Sequence, residues 1–214
     1  NDLDDLPVLG SAHVNILFFS VIIQILNSLG GTTGYSNSKT KKKLNNMKPT
    51  VSIIMGSTSD LPVMEKAAQF LNDMQVPFEI NALSAHRTPS AVEDFAKNAA
   101  SRGIKVIIAA AGMAAALPGV IAANTTLPVI GVPIKGMLDG LDAMLSIIQM
   151  PPGIPVATVG VNGAQNAAIL AVQMLSLSDS ELAERLAAHK DGLKSKIEKA
   201  NAELSNIKYD FKTN

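Results

Sequence analysis

The sequence predicts an α/β fold in which a parallel sheet of five strands carries helices on both faces. From Val51 onward, short apolar runs alternate with segments of helical spacing, a pattern typical of parallel strands joined by helices. The run Val106-Ile107-Ile108 has no polar interruption, which is typical of a strand covered on both faces. Hydrophobic residues make up 47% of the chain and aromatic residues only 4%, so we expect a core of small aliphatic side chains.

Taken in order, the apolar runs and helical segments define eleven elements. The predicted strands are Val51–Met55, Pro77–Leu83, Ile104–Ala110, Pro128–Pro133 and Ile154–Val159, and the second is expected to be buried. The predicted helices are Asp60–Met74, Ser90–Ser101, Leu117–Ala123, Leu138–Ile148, Ala164–Leu175 and a last one from Ser178 to about Ile207. A glutamate follows Ser90 and Ser178 three residues later, so each serine is expected to open its helix with a capping box.

The N-terminal residues 1–46 differ from this alternating region and are predicted to be an extension of uncertain role. Within them, the apolar stretch Asn15–Leu29 is interrupted by polar residues and is shorter than the roughly 20 residues that a membrane span needs. We therefore expect no membrane segment. We place the α/β domain that carries the functional site at residues 47–177.

Residues 178–214 are predicted to form a long C-terminal helix. Its apolar residues make one stripe on a polar surface, and they are Leu182, Leu186, Leu193, Ile197 and Leu204. Because such a helix would fray without a partner, we expect it to contact a neighbouring subunit; the alternative is a helix folded back onto its own domain. His189 is expected on the solvated face of this helix.

Charge and composition exclude several functional classes. Lys plus Arg and Asp plus Glu each number 18, so the chain lacks the net positive charge expected of a non-specific nucleic-acid binder. The absence of cysteine excludes disulfides and thiolate catalysis, and it fits a reducing compartment such as the cytoplasm. No His, Asp and Glu residues have metal-ligand spacing, so we expect no metal site.

The loop Ser84-Ala85-His86-Arg87-Thr88-Pro89 is the strongest candidate for a functional site. It joins a predicted strand to a predicted helix, and such loops line the carboxyl edge of a parallel sheet, where ligands bind. Histidine can donate and accept protons near neutral pH, and the arginine fork suits a phosphate or a carboxylate. The loop therefore predicts proton transfer beside an anion.

Two further strand-to-helix loops could take part in the same site. Gly56-Ser57-Thr58-Ser59-Asp60 offers hydroxyls and helix N–H groups to a phosphate, and Asp60 could accept hydrogen bonds from a ribose; the alternative is that Ser59 or Asp60 is only an N-cap. The run 109–119, which includes Gly112, offers backbone N–H groups to a flat or anionic ligand, and the alternative is tight helix packing.

Five motifs, in order between Pro49 and Leu177, resemble the class I N5-carboxyaminoimidazole ribonucleotide mutases of purine synthesis. They are the segments 55–60, 84–89, 111–119, 127–133 and 146–151. Arginine after the histidine, at Arg87, resembles the mutase branch, since the related carboxylase branch typically has lysine there. The resemblance implies a flavodoxin-like three-layer fold, a homo-octamer, and neither metal nor organic cofactor.

The resemblance also implies roles for individual residues. His86 would be the proton-transfer group. Ser57, Asp60 and Arg87 would hold the ribose phosphate part of the aminoimidazole ribonucleotide. Ser59 and Ser84 would assist in that pocket.

One position departs from the family pattern. The family usually has histidine where this chain has Ala116, which cannot hydrogen-bond through its side chain. This leaves two alternatives to a fully active mutase: a ribonucleotide-binding relative with impaired turnover, and a generic flavodoxin-like phosphate or flavin binder. Asp60 and the scarcity of aromatic residues disfavour the flavin binder.

Overall fold

The computed structural model describes residues 47–214, and residues 48–214 of them form one compact unit. The strands are β1 Val51–Met55, β2 Phe78–Ala82, β3 Val106–Ala111, β4 Val129–Pro133 and β5 Ala157–Thr158. The helices are α1 Leu61–Asp73, α2 Pro89–Asn98, α3 Leu117–Ala123, α4 Leu141–Ile148, α5 Ala164–Ser176 and α6 Ser180–Ser205, with short 3-10 turns at Thr58–Asp60 and Ala100–Arg102. The expectations for residues 1–46 lie outside the described residues.

All five strands are parallel, and they lie in the order β2-β1-β3-β4-β5. β1, β3 and β4 are buried along their whole length, because helices cover both faces of the sheet. On one face, residues of α1, α5 and the start of α6 pack against Ile53 and Ile108. On the other face, residues of α2, α3 and α4 pack against Ile54 and Ile107. The predicted three-layer α/β fold is confirmed.

Small residues bring the helices close to this sheet, as the composition predicted. The face of α5 that meets the sheet is built from alanine and valine: Ala164, Ala167, Ala168, Ala171 and Val172, all fully buried. In β4, a side chain at Gly131 would place its Cβ only 2.4 Å from Cγ2 of Ile147. Glycine is therefore required where α4 crosses the strand.

The prediction that the second strand is buried is wrong. β2 is an edge strand, paired only with β1, and Ile80 is 45% exposed. Its polar residues form a network instead: Glu79 accepts a hydrogen bond from the buried Ser52 at 3.0 Å and two from Arg102 at 3.0 and 3.1 Å. An edge strand with a paired charge discourages pairing with other chains.

Several predicted boundaries are also wrong, for local reasons. The fourth helix begins at Leu141 rather than Leu138, because Leu138, Asp139 and Gly140 all have positive φ and cannot belong to a right-handed helix. The last strand has only two residues, because β5 pairs with β4 only through Ala157 and Thr158.

Neither predicted capping box is present. Helix α2 begins at Pro89, one residue before Ser90, and its N-cap Thr88 makes no side-chain capping bond. Helix α6 is capped by Asp179 rather than Ser178, and the Asp179 carboxylate accepts a hydrogen bond from the Leu182 N–H at 2.9 Å. In the second case, the predicted serine lies one residue before the cap position.

The C-terminal helix α6 has two different halves. Its first turns fold back onto their own domain, since Leu182 is buried and Leu186 packs against the core. His189 is not simply solvated as predicted: its ring meets Phe70 of α1 edge-on, with 5.0 Å between the ring centroids. Farther along, the stripe residues Leu193, Ile197 and Leu204 are 46–65% exposed.

None of the helices in residues 47–214 combines the length and apolar character needed to cross a bilayer.

Candidate active site

A cavity of about 540 Å³ lies at the carboxyl edge of the sheet, where the chain leaves four neighbouring strands. The order in which strands are added to the sheet reverses at β1, because β2 pairs with one side of β1 and β3 pairs with the other. Such switch points leave a crevice in which ligands bind. Sixteen residues line the cavity: Gly56, Ser57, Ser59, Asp60, Ser84, Ala85, His86, Arg87, Ala111, Gly112, Met113, Ala116, Leu117, Ile134, Lys135 and Gly136.

The lining divides into two walls. The polar wall consists of the lining residues in the loops after β1 and β2, at 56–60 and 84–87. The apolar wall consists of those at the ends of β3 and β4 and in the segments that follow, at 111–117 and 134–136. In the described part of the chain, the polar wall contributes every hydroxyl, carboxylate and imidazole in the lining, whereas the apolar wall contributes one charged side chain, Lys135.

Ser84 organises the loop that carries His86 and Arg87. The Thr88 N–H donates to the Ser84 carbonyl at 2.8 Å and closes a turn around both residues. The Ser84 hydroxyl accepts from the Arg87 backbone N–H at 3.2 Å and from Arg87 Nε at 3.3 Å. These bonds restrain Arg87, while His86 stays exposed at the cavity.

Arg87 also joins the two loops of the polar wall. Its Nη2 donates to the carbonyl oxygen of Gly56, after β1, at 2.6 Å. The guanidinium has five N–H groups, so the bonds to Ser84 and Gly56 leave donors for a ligand. A fixed cation with unused donors is suited to a phosphate or carboxylate.

The loop after β1 presents Ser57, Ser59 and Asp60. The Ser57 hydroxyl caps the 3-10 turn by accepting from the Ser59 N–H at 3.3 Å, and the Ser59 hydroxyl donates to Asp60 Oδ1 at 3.3 Å. Burial raises the pKa of the Asp60 carboxyl, and hydrogen bonds from the Ser59 side chain and the Ser57 backbone partly offset the rise. Asp60 occupies the N-cap position of α1 without making a side-chain capping bond. Its carboxylate is not used in capping this helix.

The apolar wall is formed first by the loop after β3. Its backbone is tightly turned, because Ala114 has a φ of +53° and the Ala115 N–H donates to the Gly112 carbonyl at 2.9 Å. Ala116 is the N-cap residue of α3 and contributes only a methyl group. Met113 is 75% exposed at this loop. The wall therefore borders a ligand with small or flexible apolar groups.

The second part of the apolar wall follows β4. The Lys135 N–H donates to Asn162 Oδ1 at 2.9 Å, and the Asn162 N–H donates to the Pro133 carbonyl at 2.8 Å. The Lys135 ammonium lies 3.0 Å from Asp139 Oδ1. Sequence reasoning missed Lys135, although its position at a strand end was a usable signal.

Comparison with known proteins gives the family. The family model described as AIR carboxylase matches residues 50–196. A Pyrococcus abyssi protein named N5-carboxyaminoimidazole ribonucleotide mutase is 58% identical over 147 residues, which are 68% of this chain and 84% of the relative. The chain belongs to the AIR carboxylase family.

Two further comparisons agree with this assignment. A Saccharomyces cerevisiae protein named phosphoribosylaminoimidazole carboxylase is 50% identical over 181 residues, which are 81% of this chain and 32% of that protein. The crystal structure of Treponema denticola PurE has a TM-score of 0.67 and 32% identity, and the match covers 73% of this chain and 98% of that chain. The family resemblance read from the sequence is thus confirmed.

All eight site residues selected from the sequence line this cavity of the AIR carboxylase family member. They are Ser57, Ser59, Asp60, Ser84, His86, Arg87, Gly112 and Ala116. Residues 47–214 contain no group of three or more His, Asp or Glu side chains placed to hold a metal ion. The structure thus brings together four loops that are distant in sequence, and it adds the segment Ile134, Lys135 and Gly136, which lies outside the three loops selected from the sequence.

Proposed function

We propose that this protein is an N5-carboxyaminoimidazole ribonucleotide mutase of de novo purine biosynthesis. It moves the carboxyl group of its substrate from the exocyclic nitrogen to ring carbon C4 and gives 4-carboxy-5-aminoimidazole ribonucleotide. The observation that carries the proposal is the cavity itself, in which a histidine, an arginine and a partly buried carboxyl converge in a member of this family. The names of relatives about half identical to the chain support the same reaction.

The polar wall holds the ribose phosphate. Arg87 and the Ser57 hydroxyl bind the phosphate, because charge-assisted hydrogen bonds to a restrained guanidinium are strong. Asp60 accepts hydrogen bonds from the ribose hydroxyls, and Ser59 and Ser84 hold Asp60 and Arg87 in place. Gly112 and Ala116, in the facing wall, leave room for the flat imidazole ring.

His86 carries the proton in both steps. In the first step, protonated His86 gives its proton to the carbamate nitrogen. The bond from this nitrogen to the carboxyl carbon breaks, its electron pair stays on nitrogen, and carbon dioxide is released inside the cavity. In the second step, C4 attacks the carbon dioxide, and the now neutral His86 accepts the proton that C4 loses.

This cycle returns His86 to its starting state, so a single histidine serves as acid and then as base. The proposed mechanism uses no metal ion and no organic cofactor, because the only group that must move besides the carboxyl group is one proton. A catalytically impaired ribonucleotide-binding relative is the less favoured reading, since the similar proteins are named as enzymes.

The mutase and carboxylase reactions are separated by a paired assay. Purified protein is given either N5-carboxyaminoimidazole ribonucleotide or aminoimidazole ribonucleotide with bicarbonate, and formation of the C4-carboxylated product is followed. We expect rapid conversion of the first substrate only. Equal rates with both substrates would assign the carboxylase reaction, and tight product binding without turnover would assign the impaired relative.

The active form is proposed to be a cytoplasmic homo-octamer, with active sites near subunit contacts. In its support, two apolar surfaces are left open: Leu141, Leu145 and Ile148 on α4, and the distal stripe of α6. The domain division at residues 47–177 and 178–214 assigns α6 to this contact. Removal of residues 192–214, which keeps the first turns of α6 on the core, is expected to lower the mass found by light scattering, and an unchanged octamer would contradict this role.

A further inference from the structure

The cavity is lined by one arginine and one lysine, and they lie on opposite walls. Among the lining residues, Arg87 follows β2 and Lys135 follows β4. Two strands, β1 and β3, lie between these ends. Because neighbouring strands are about 4.8 Å apart, the two strand ends are separated by about 14 Å. The backbone positions from which Arg87 and Lys135 extend are thus well separated, so the two cations suit a ligand with negative charge at two places.

The backbone of Lys135 is held in a defined position. Its N–H is bonded to Asn162, which is itself bonded to the carbonyl of Pro133, the last residue of β4. Asn162 has a φ of +57°, a conformation in which asparagine is common. The start of the Lys135 side chain is thus fixed, while its long apolar stem leaves the ammonium free to move.

The present partner of the ammonium is easily replaced. Asp139 is four residues away in a turn, and the two side chains are 60% and 87% exposed. Exposed ion pairs of this kind contribute little to stability, because water competes for both charges. A ligand anion can therefore take the place of Asp139 at small energetic cost.

We propose that Lys135 binds the carboxylate of the substrate and product, and so selects the carboxylated ribonucleotide. This inference rests on the proposed mutase function. Arg87 and Ser57 already account for the phosphate on the polar wall, which leaves the carboxylate to be matched. The other lining residues of the apolar wall, such as Met113, Ala116 and Ile134, have no charged group to offer. Without Lys135, a carboxylate beside this wall would lose hydration without a charged partner.

Binding of two ligands by titration calorimetry tests the proposal. The probes are the product 4-carboxy-5-aminoimidazole ribonucleotide and aminoimidazole ribonucleotide, which lacks the carboxyl group but keeps the phosphate. Lys135→Gln is expected to weaken binding of the carboxylated ligand about tenfold and to leave the other ligand unchanged. In steady-state turnover, it is expected to raise KM more than it lowers kcat, and Lys135→Arg is expected to restore most of the affinity.

Two control variants sharpen the result. Lys66→Gln removes the same charge from the exposed surface of α1, away from the cavity, and should change neither affinity. Asp139→Asn removes the competing carboxylate at a position of positive φ that asparagine tolerates, and should bind the carboxylated ligand at least as tightly as the parent. A loss in Asp139→Asn equal to that in Lys135→Gln would show that the ion pair only shapes the loop, and would overturn the proposal.

Equal weakening of both ligands by Lys135→Gln would place the phosphate at this lysine and overturn the proposal, as would no weakening of either. These outcomes are distinct from a failure of the mutase function, in which the parent protein itself would bind neither ribonucleotide or would not convert the substrate.

Discussion

The two walls of the cavity differ in the chemistry of their side chains and in the contacts that hold them in place. The polar wall is held by its own hydrogen bonds, from the Ser84 turn to the Arg87 link with Gly56. The apolar wall is held by the backbone, through the turned loop at Ala114 and the Asn162 contact to Lys135. In the proposed function, one wall binds the ribose phosphate and transfers the proton, and the other shapes the space and offers a single cation, Lys135.

This difference suits the proposed mechanism, in which a single histidine transfers the proton in both steps. In the proposed mechanism, carbon dioxide is released beside Ala111, Gly112 and Leu117, whose side chains offer no hydrogen-bonding groups that would hold water there. Four substitutions test this division, in order of decreasing expected effect.

His86→Asn is expected to reduce kcat by about a thousandfold, while affinity for the product changes little. Asparagine preserves hydrogen bonding but cannot cycle a proton, whereas the ribose phosphate is held by other residues. Steady-state turnover and product titration measure the two quantities.

His189→Asn is the matched control for this change, since His189 packs on Phe70 outside the cavity. It should leave kcat unchanged, whatever its effect on stability. Substantial turnover in His86→Asn would mean that the proton is carried by another group.

Ala116→His is expected to raise turnover by about a hundredfold, because an imidazole on the apolar wall could hydrogen-bond the migrating carboxyl group where its charge changes. Turnover of both forms is measured with the same substrate, together with product affinity.

Ala116→Leu adds bulk without polarity and should give no gain. If Ala116→His gives no gain either and the parent is fully active, position 116 is not chemically essential. No activity in either form would favour the ribonucleotide-binding relative.

Arg87→Ala is expected to weaken binding of both ribonucleotides by about 10- to 30-fold, because it removes charge-assisted bonds to the phosphate. Arg87→Lys should recover only part of the affinity, since an ammonium cannot reproduce the fork that also reaches Ser84 and Gly56. An unchanged affinity in Arg87→Ala would remove Arg87 from the binding site.

Asp60→Asn should have the smallest effect, on stability. Burial raises the pKa of Asp60 in the folded protein, so its favourable contribution is present at low pH and is lost as pH rises through that raised pKa. Relative to Asp60→Asn, the parent should therefore lose a little stability as pH rises from the ordinary carboxyl range toward neutrality. Urea unfolding at several pH values measures the difference, and a gain by the parent would contradict the assigned sign.

The fold class and the polar wall could be predicted from the sequence because both depend on residues that lie close together along the chain. The bounds of β1 and α3 were predicted correctly, since Gly56 follows the apolar run of β1 and Asn124 follows that of α3. Serine, aspartate, histidine and arginine in strand-end loops have functional groups whose chemistry can be recognised from the residue types alone. Their assigned roles stay predictions until the variants are measured.

The features that sequence reasoning did not predict depend on which strands are neighbours in the sheet. The residues of β2 and their neighbours in sequence do not indicate an edge strand, because the exposure of β2 follows from the strand order of the sheet. The residue type of Lys135 is typical of a protein surface, so only its position two residues after the predicted fourth strand could have selected it. The left-handed turn at Leu138 and Asp139 contradicts what both residues favour locally, so only the surrounding structure specifies it.

The position of β1 inside the sheet, between β2 and β3, has a consequence for how the protein folds during synthesis. Val51 pairs with Phe78 on one side and with Val106 on the other, so β1 leaves the ribosome well before either partner is complete. Until then, the apolar side chains of β1 are not buried against other parts of the protein. Such long-range parallel pairing slows folding, and the unfinished chain is exposed to aggregation during that interval.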